Sequence, residues 1–178
     1  MLRHDIARDP LPEAAFDLVH ARLILVLVPE RELALEKMAS ALKPGGWLVC
    51  EEFDSLSMQA DPALHPEECP LKAQTAMQRV LASRGANTRY GRDLAARMRA
   101  YGLVDIRAQG RMAMWHGGSA GARLFRANFE QLRDELVRIG LLTQAELDDD
   151  LARLDDPRTL FPSPVMWTVC GRRPDGPL

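Results

Sequence analysis

The sequence predicts an α/β fold, a sheet whose strands alternate with amphipathic helices. Three observations predict it. Asp17 to Val28 is a nearly continuous apolar stretch after a proline-containing loop, the pattern of a strand covered on both faces as in a parallel sheet. Leu35, Met38, Ala39 and Leu42 recur at i, i+3, i+4 and i+7, one face of a helix running from Pro29 to Leu42, with Pro29 a natural starting residue. "KPGG" breaks that helix, and "WLVCEEF" from Trp47 to Phe53 reads as a second buried strand. Strand, helix and strand at this spacing form a βαβ unit with a right-handed crossover.

With 178 residues, 47% of them hydrophobic, the chain has the usual length of one domain and can bury a sizeable core, so the reading is a single domain over 1–178. Ser55 to Pro70 is loop-like, with Pro62, Pro66 and Pro70. A helix follows from Leu71 to Arg84, with Ala73, Met77, Val80 and Leu81 on one side and Gly85 as its stop. "GRDLAARMRAYGL" is another helix: Leu94, Ala95, Met98 and Tyr101 share a face, and Gly102 sits where a helix-ending glycine belongs. Val104 to Trp115 alternates weakly and reads as a third strand. Between Ser119 and Leu154 lie two helices. The first carries Phe125, Phe129, Leu132 and Leu136 and ends near Gly140. The second opens with Thr143 and Glu146 at capping-box spacing and continues through Leu147, Leu151 and Leu154. A proline-bracketed loop, "DPRTLFPSP", leads to a final strand, "VMWTVCGRR".

Composition excludes several classes. The formal charge is -2 and Lys and Arg alternate with acids, so no basic tract marks a nucleic-acid partner. The longest apolar run, Leu23 to Val28, is far short of the roughly 20 residues of a membrane helix, and no secretory signal opens the chain. Cys50, Cys69 and Cys170 are odd in number and widely spaced, which points to a reducing compartment, the cytoplasm, and away from a structural metal site.

In order and spacing, "HDIARDPLPEAAFDLVHARLIL" from His4 to Leu25, the amphipathic helix and "LKPGGWLVCEEF" from Leu42 to Phe53 resemble the second half of the class I S-adenosylmethionine-dependent methyltransferase fold. In that family an acidic residue follows the third strand, a P-x-x-x-F-D-L-V segment forms the fourth, and an L-K/R-P-G-G turn enters the fifth. The "GRDLAARMRAYGL" helix and the two closing strands are similar to the helix and hairpin that end the family's sheet. The resemblance covers Leu2 to Phe53 well, Arg92 to Trp115 and Val165 to Arg172 loosely, and the intervening segments hardly at all.

The resemblance implies a partial Rossmann-like sheet built from the family's later strands, with 55–90 and 117–163 as helical insertions that cap the substrate. It also implies S-adenosylmethionine as cofactor and a small organic acceptor. The family's glycine-rich cofactor turn has no counterpart in the sequence, so the expectation is a homologue that binds the cofactor weakly or not at all by itself, the complete site belonging to a longer parent. The alternative is a non-catalytic interaction or dimerisation module derived from the same fold. An apolar strand edge from Asp17 to Leu25 invites pairing with a second copy.

Site residues follow from the same resemblance. Asp5 matches the acid that accepts a hydrogen bond from the adenine amino group, and Ile6 offers the purine a backbone amide and an apolar surface. His20, Ala21 and Arg22 follow the fourth strand at the sheet's carboxyl edge, where open α/β folds put their ligands. They are candidates for cofactor contact, and His20 also for a general base. Glu51 and Glu52 end the next strand on opposite faces, so at most one faces the site, and Glu52 is the candidate on the substrate side. Tyr90, Trp115 and His116 are the other candidates there. Met58, Met77, Met112, Met114 and Phe125 could line an apolar pocket, although such residues at helical spacing usually build core.

Overall fold

Periodicity in the sequence becomes a sheet backed by helices in the computed structural model, which describes residues 3–58 and 71–176. In chain order the elements are β1 (Phe16–Arg22), α1 (Arg31–Ser40), β2 (Leu42–Asp54), α2 (Lys72–Ser83), α3 (Leu94–Ala100), β3 (Val104–Arg111), β4 (Met114–His116), α4 (Ala120–Arg138), α5 (Gln144–Asp155), β5 (Leu160–Pro162) and β6 (Val165–Arg172). The described residues fall into two compact units. One is drawn from Met1–Asp54, Gly85–Arg111 and Val165–Leu178, the other from Ser55–Arg84 and Met112–Pro164. Gly85 to Tyr90, assigned from sequence to the first insertion, therefore belong with the sheet. Pro62, Pro66, Cys69 and Pro70 lie outside the described residues.

The first unit holds a four-stranded sheet in the order β1-β2-β6-β3. β1 and β2 are parallel and joined through α1, as the βαβ pattern predicts, while β6 runs antiparallel to both β2 and β3. Leu35, Met38, Ala39 and Leu42, the helical face read from the sequence, are all buried. With Leu94 and Met98 of α3 they form one core with Leu48 and Cys50 of β2 and Val169 of β6.

Two boundaries differ from the sequence reading, each for a local reason. β2 begins at Leu42 because the Pro-Gly-Gly segment is absorbed into the strand as an irregularity, its register to β1 jumping from Phe16↔Leu42 to Leu18↔Trp47. Gly45 takes φ +78° in that turn, and a Cβ on Gly46 would lie 3.0–3.2 Å from the carbonyl oxygens of Lys43, Phe16 and Asp17. β1, expected to reach Val28, stops at Arg22. Leu23 enters the left-handed region at φ 53°, and the amides of Ile24, Leu25 and Val26 turn onto the Glu52 carboxylate. The apolar run marks burial there, with Leu25 and Val26 inside, and not extended backbone.

The expected third strand, Val104 to Trp115, is likewise two elements. β3 pairs with β6, whereas β4 pairs with β5 in the second unit, inside a segment read as loop. Weak alternation identifies extended chain without naming its partner.

In the second unit α2, α4 and α5 surround Met77, Val80, Phe125, Phe129, Leu136, Leu147, Leu151 and Leu154. Ser119 caps α4, and Thr143 and Glu146 form the capping box that their spacing predicts. The start of α2 is satisfied from a distance: the Ala73 amide donates to the buried Asp150 carboxylate of α5 at 2.7 Å.

Candidate functional site

Strand pairing gathers one polar cluster at the carboxyl end of the parallel pair. Arg22 stands opposite Glu51, and Glu51 opposite Thr168 of β6. Because alternate residues share a face, His20, Arg22, Glu51 and Thr168 lie on the same side of the sheet. His20 Nε2 is 3.1 Å from Glu51 Oε2, Arg22 Nη1 is 3.6 Å from the same oxygen, and the Thr168 hydroxyl donates to Oε1 at 3.3 Å. The hydrogen bond from His20, with Arg22 and Thr168 beside it, holds the Glu51 carboxyl below the ordinary glutamate range. His20 and Arg22 remain about half exposed, their side chains at 49% and 58%.

Ala21 and Glu52 point the other way. Ala21 is buried in the core. Glu52, read from sequence as a substrate-side residue, is fully buried, and its oxygens accept the amides of Ile24 at 3.0 Å, Leu25 at 2.8 Å and Val26 at 3.2 Å. Burial raises its pKa against those three bonds, which favour the anion. Period two says that the two glutamates part company; which of them faces outward is settled by the covering helices.

Asp5 and Ile6 sit on a short turn before β1. The Asp5 carboxylate accepts the Ala7 amide at 3.0 Å, and its carbonyl accepts the amides of Arg8 and Asp9. Ile6 packs its side chain against the core of the sheet unit. Lys37 of α1 fastens this turn, donating from Nζ to the carbonyls of Ile6, Ala7 and Asp9 at 3.3, 2.9 and 3.1 Å. Sequence reasoning missed Lys37, and of the Glu51–Glu52 pair it chose Glu52 where the structure turns Glu51 toward His20. A lysine late in an amphipathic helix carries no signal of its own, whereas the His-x-Arg spacing opposite a strand-ending glutamate is one that register could have revealed.

The remaining candidates are placed elsewhere. Tyr90 is buried in the core of the sheet unit, the Arg31 guanidinium 5.8 Å from its ring centroid, and burial followed by the charge of Glu32 raises its phenol. Trp115 and His116 belong to the second unit. The Trp115 ring meets Phe125 in a tilted contact at 5.6 Å between centroids and Phe161 edge-on at 6.3 Å, and His116 Nδ1 lies 2.8 Å from the Gly117 carbonyl oxygen. Met58, Met77 and Phe125 are core, while Met112 and Met114 are exposed. Among the described residues no cluster of histidine, cysteine or acidic side chains could hold a metal, and no helix is long and apolar enough to cross a membrane.

Residues 3–108, which contain His20, Arg22, Glu51 and the Asp5 turn, match the family pattern described as "Methyltransferase domain". The chain belongs to the class I S-adenosylmethionine-dependent methyltransferase family. Among curated methyltransferases it is similar to methyltransferase str2 of Strobilurus tenacellus, 28% identical over 85 residues, which are 48% of this chain and 30% of that protein. It is also similar to the uncharacterized methyltransferase C1B3.06c of Schizosaccharomyces pombe, 31% identical over 50% of this chain and 31% of that protein. The chain thus spans about 30% of the length of these methyltransferase relatives. Among solved structures, BH2331 of Bacillus halodurans shares the fold at TM-score 0.58 and 12% identity, over 97% of this chain and 70% of its own.

Proposed function

We propose that the protein takes part in methyl transfer from S-adenosylmethionine to a small organic acceptor, in the cytoplasm, with His20 as the group that receives the acceptor's proton. The observation that carries this reading is the His20–Arg22–Glu51 cluster on one face of β1 and β2, at the strand ends where open α/β sheets bind ligands.

The residues of the Asp5 turn fit the cofactor's adenine. A half-exposed carboxylate suits the exocyclic amino group, and Ile6 beside it gives an apolar edge for the purine. Arg22, half exposed at the end of β1, is assigned to the cofactor, whereas Ala21 is buried on the opposite face. When bound, S-adenosylmethionine supplies an electrophilic methyl group on a sulfonium. The protein's task is then to orient the acceptor and to accept a proton, since alignment carries most of the rate in such displacements. An exposed imidazole beside a fixed carboxylate can accept that proton. Trp115 and His116 are proposed as acceptor contacts on the family resemblance; the buried positions of Glu52 and Tyr90 favour a structural part over direct contact.

Calorimetric titration with S-adenosylhomocysteine tests the assignment. Weak binding that Asp5→Ala diminishes about tenfold, the scale of one hydrogen bond to a charged group, is the expected result. Equal affinity of both proteins overturns it.

We also propose self-association along β1. The strand ends the sheet, and Phe16 and Leu18 are 40% and 59% exposed on it.

A further inference from the structure

We propose that Glu51 is a positioning residue for His20: across two neighbouring strands it holds the imidazole by Nε2–H and leaves Nδ1 as the nitrogen that takes a proton from the methyl acceptor. This inference rests on the reading of His20 as the base.

Three observations support it. The Glu51 carboxylate is fixed from several directions: Oε2 faces His20 Nε2 at 3.1 Å and Arg22 Nη1 at 3.6 Å, and Oε1 accepts the Thr168 hydroxyl at 3.3 Å. Its partners stand on β1 and β6, the two strands that flank β2, so the carboxylate is set by sheet register and not by a mobile loop. Glu51 is largely covered, its side chain 21% exposed, whereas His20 is 49% exposed, so the dyad has a sheltered carboxylate and an open imidazole.

A neutral imidazole carries its proton on one nitrogen. With an anionic acceptor at Nε2, the proton resides there and Nδ1 keeps its lone pair. In the reaction the acceptor atom bonds to the methyl carbon and the methyl–sulfur bond breaks, its electron pair passing to sulfur to give a neutral thioether. The acceptor's proton moves to His20 Nδ1, and the resulting imidazolium keeps its Nε2–H on Glu51. The carboxylate thus also stabilises the cation formed.

The test reads the tautomer directly, by long-range proton–nitrogen correlation of the imidazole rings at a pH where His20 is neutral, with His20→Asn to assign the signals. Wild type is expected to show Nε2–H. Glu51→Ala is expected to give a mixture of tautomers, and Glu51→Gln, whose amide oxygen still accepts, to restore Nε2–H; circular dichroism verifies that both variants fold. A wild-type Nδ1–H tautomer, or a tautomer unmoved by Glu51→Ala, overturns the proposal. Turnover separates this from the reading beneath it. His20→Ala is expected to lower kcat about 10²–10⁴-fold, the span of general-base catalysis. Glu51→Ala is expected to lower kcat by part of that and to have no further effect in the double variant. If His20→Ala leaves turnover unchanged while Glu51→Ala still moves the tautomer, the base assignment falls and the pairing stands.

Discussion

Glu51 and Glu52 are adjacent in β2 and opposite in surroundings: Glu51 meets a histidine, an arginine and a threonine on one face of the sheet, while Glu52 meets three backbone amides on the other. Their pKa values move apart accordingly, Glu51 down and Glu52 up from 4.5. By linkage they tilt stability in opposite senses. What Glu51 contributes is present above its unfolded value and is lost as pH falls through the lower folded one. Glu52 binds its proton more tightly when folded, so stability declines as pH rises from 4.5 through its raised value. In urea titrations across pH, Glu51→Gln is expected to flatten the acid limb below 4.5 and Glu52→Gln the slope above it. The same slope change in both variants would contradict the two environments.

Truncating Glu52 tests its structural part. Glu52→Ala leaves the amides of Ile24, Leu25 and Val26 without their acceptor in a buried place. At about 1–3 kcal/mol for each unsatisfied group, the loss is expected to exceed roughly 3 kcal/mol in denaturant unfolding. Hydrogen exchange should quicken first at those three amides.

Much of the fold was legible because it rests on local rules. The face of Leu35, Met38, Ala39 and Leu42, the capping box of Thr143 and Glu146 and the glycine turn at Gly45 are all written within a few residues of themselves. What escaped depends on distant partners. The end of β1 is set by a carboxylate from β2, and β4 leaves the third strand because Trp115 packs with Phe125 and Phe161. In the site, the resemblance led to Asp5 and His20, but not to Lys37 or to the choice of Glu51 over Glu52, which are visible only once α1 and β2 are packed against the segments they hold.

Lys37 offers a handle on the Asp5 turn from outside it. Lys37→Met keeps helix propensity and removes the three donations to Ile6, Ala7 and Asp9. Faster exchange of the Arg8 and Asp9 amides with α1 intact is expected, together with weaker S-adenosylhomocysteine binding. Unchanged exchange would show that the turn holds itself.

Asp150 separates a capping role from a charge. Burial raises its pKa although the Ala73 amide favours the anion. Asp150→Ala is expected to cost about 1–2 kcal/mol by orphaning that amide at the start of α2. Asp150→Asn keeps an acceptor and sheds the buried charge, so it is expected to match wild type at neutral pH and to lose the decline in stability that wild type shows as pH rises past 3.8. Equal losses in both variants would make the charge itself essential.

The β1 edge is tested by sedimentation. At micromolar concentration the protein is expected to run as a dimer and Leu18→Lys as a monomer, since a charge on an edge strand opposes pairing. A wild-type monomer would remove the proposed association.

β6 lies between β2 and β3, yet it is encoded after them, behind the whole Met112–Pro164 segment. On the ribosome, therefore, the first three strands of the sheet emerge without the one that joins β3 to the others. At roughly 5–20 residues per second, about three to ten seconds of translation separate β3 from β6. During that interval the helical unit can be synthesised in full while the sheet still shows bare backbone along β2, so chaperone capture of the nascent chain should concentrate on the sheet strands and cease once the final strand has left the exit tunnel.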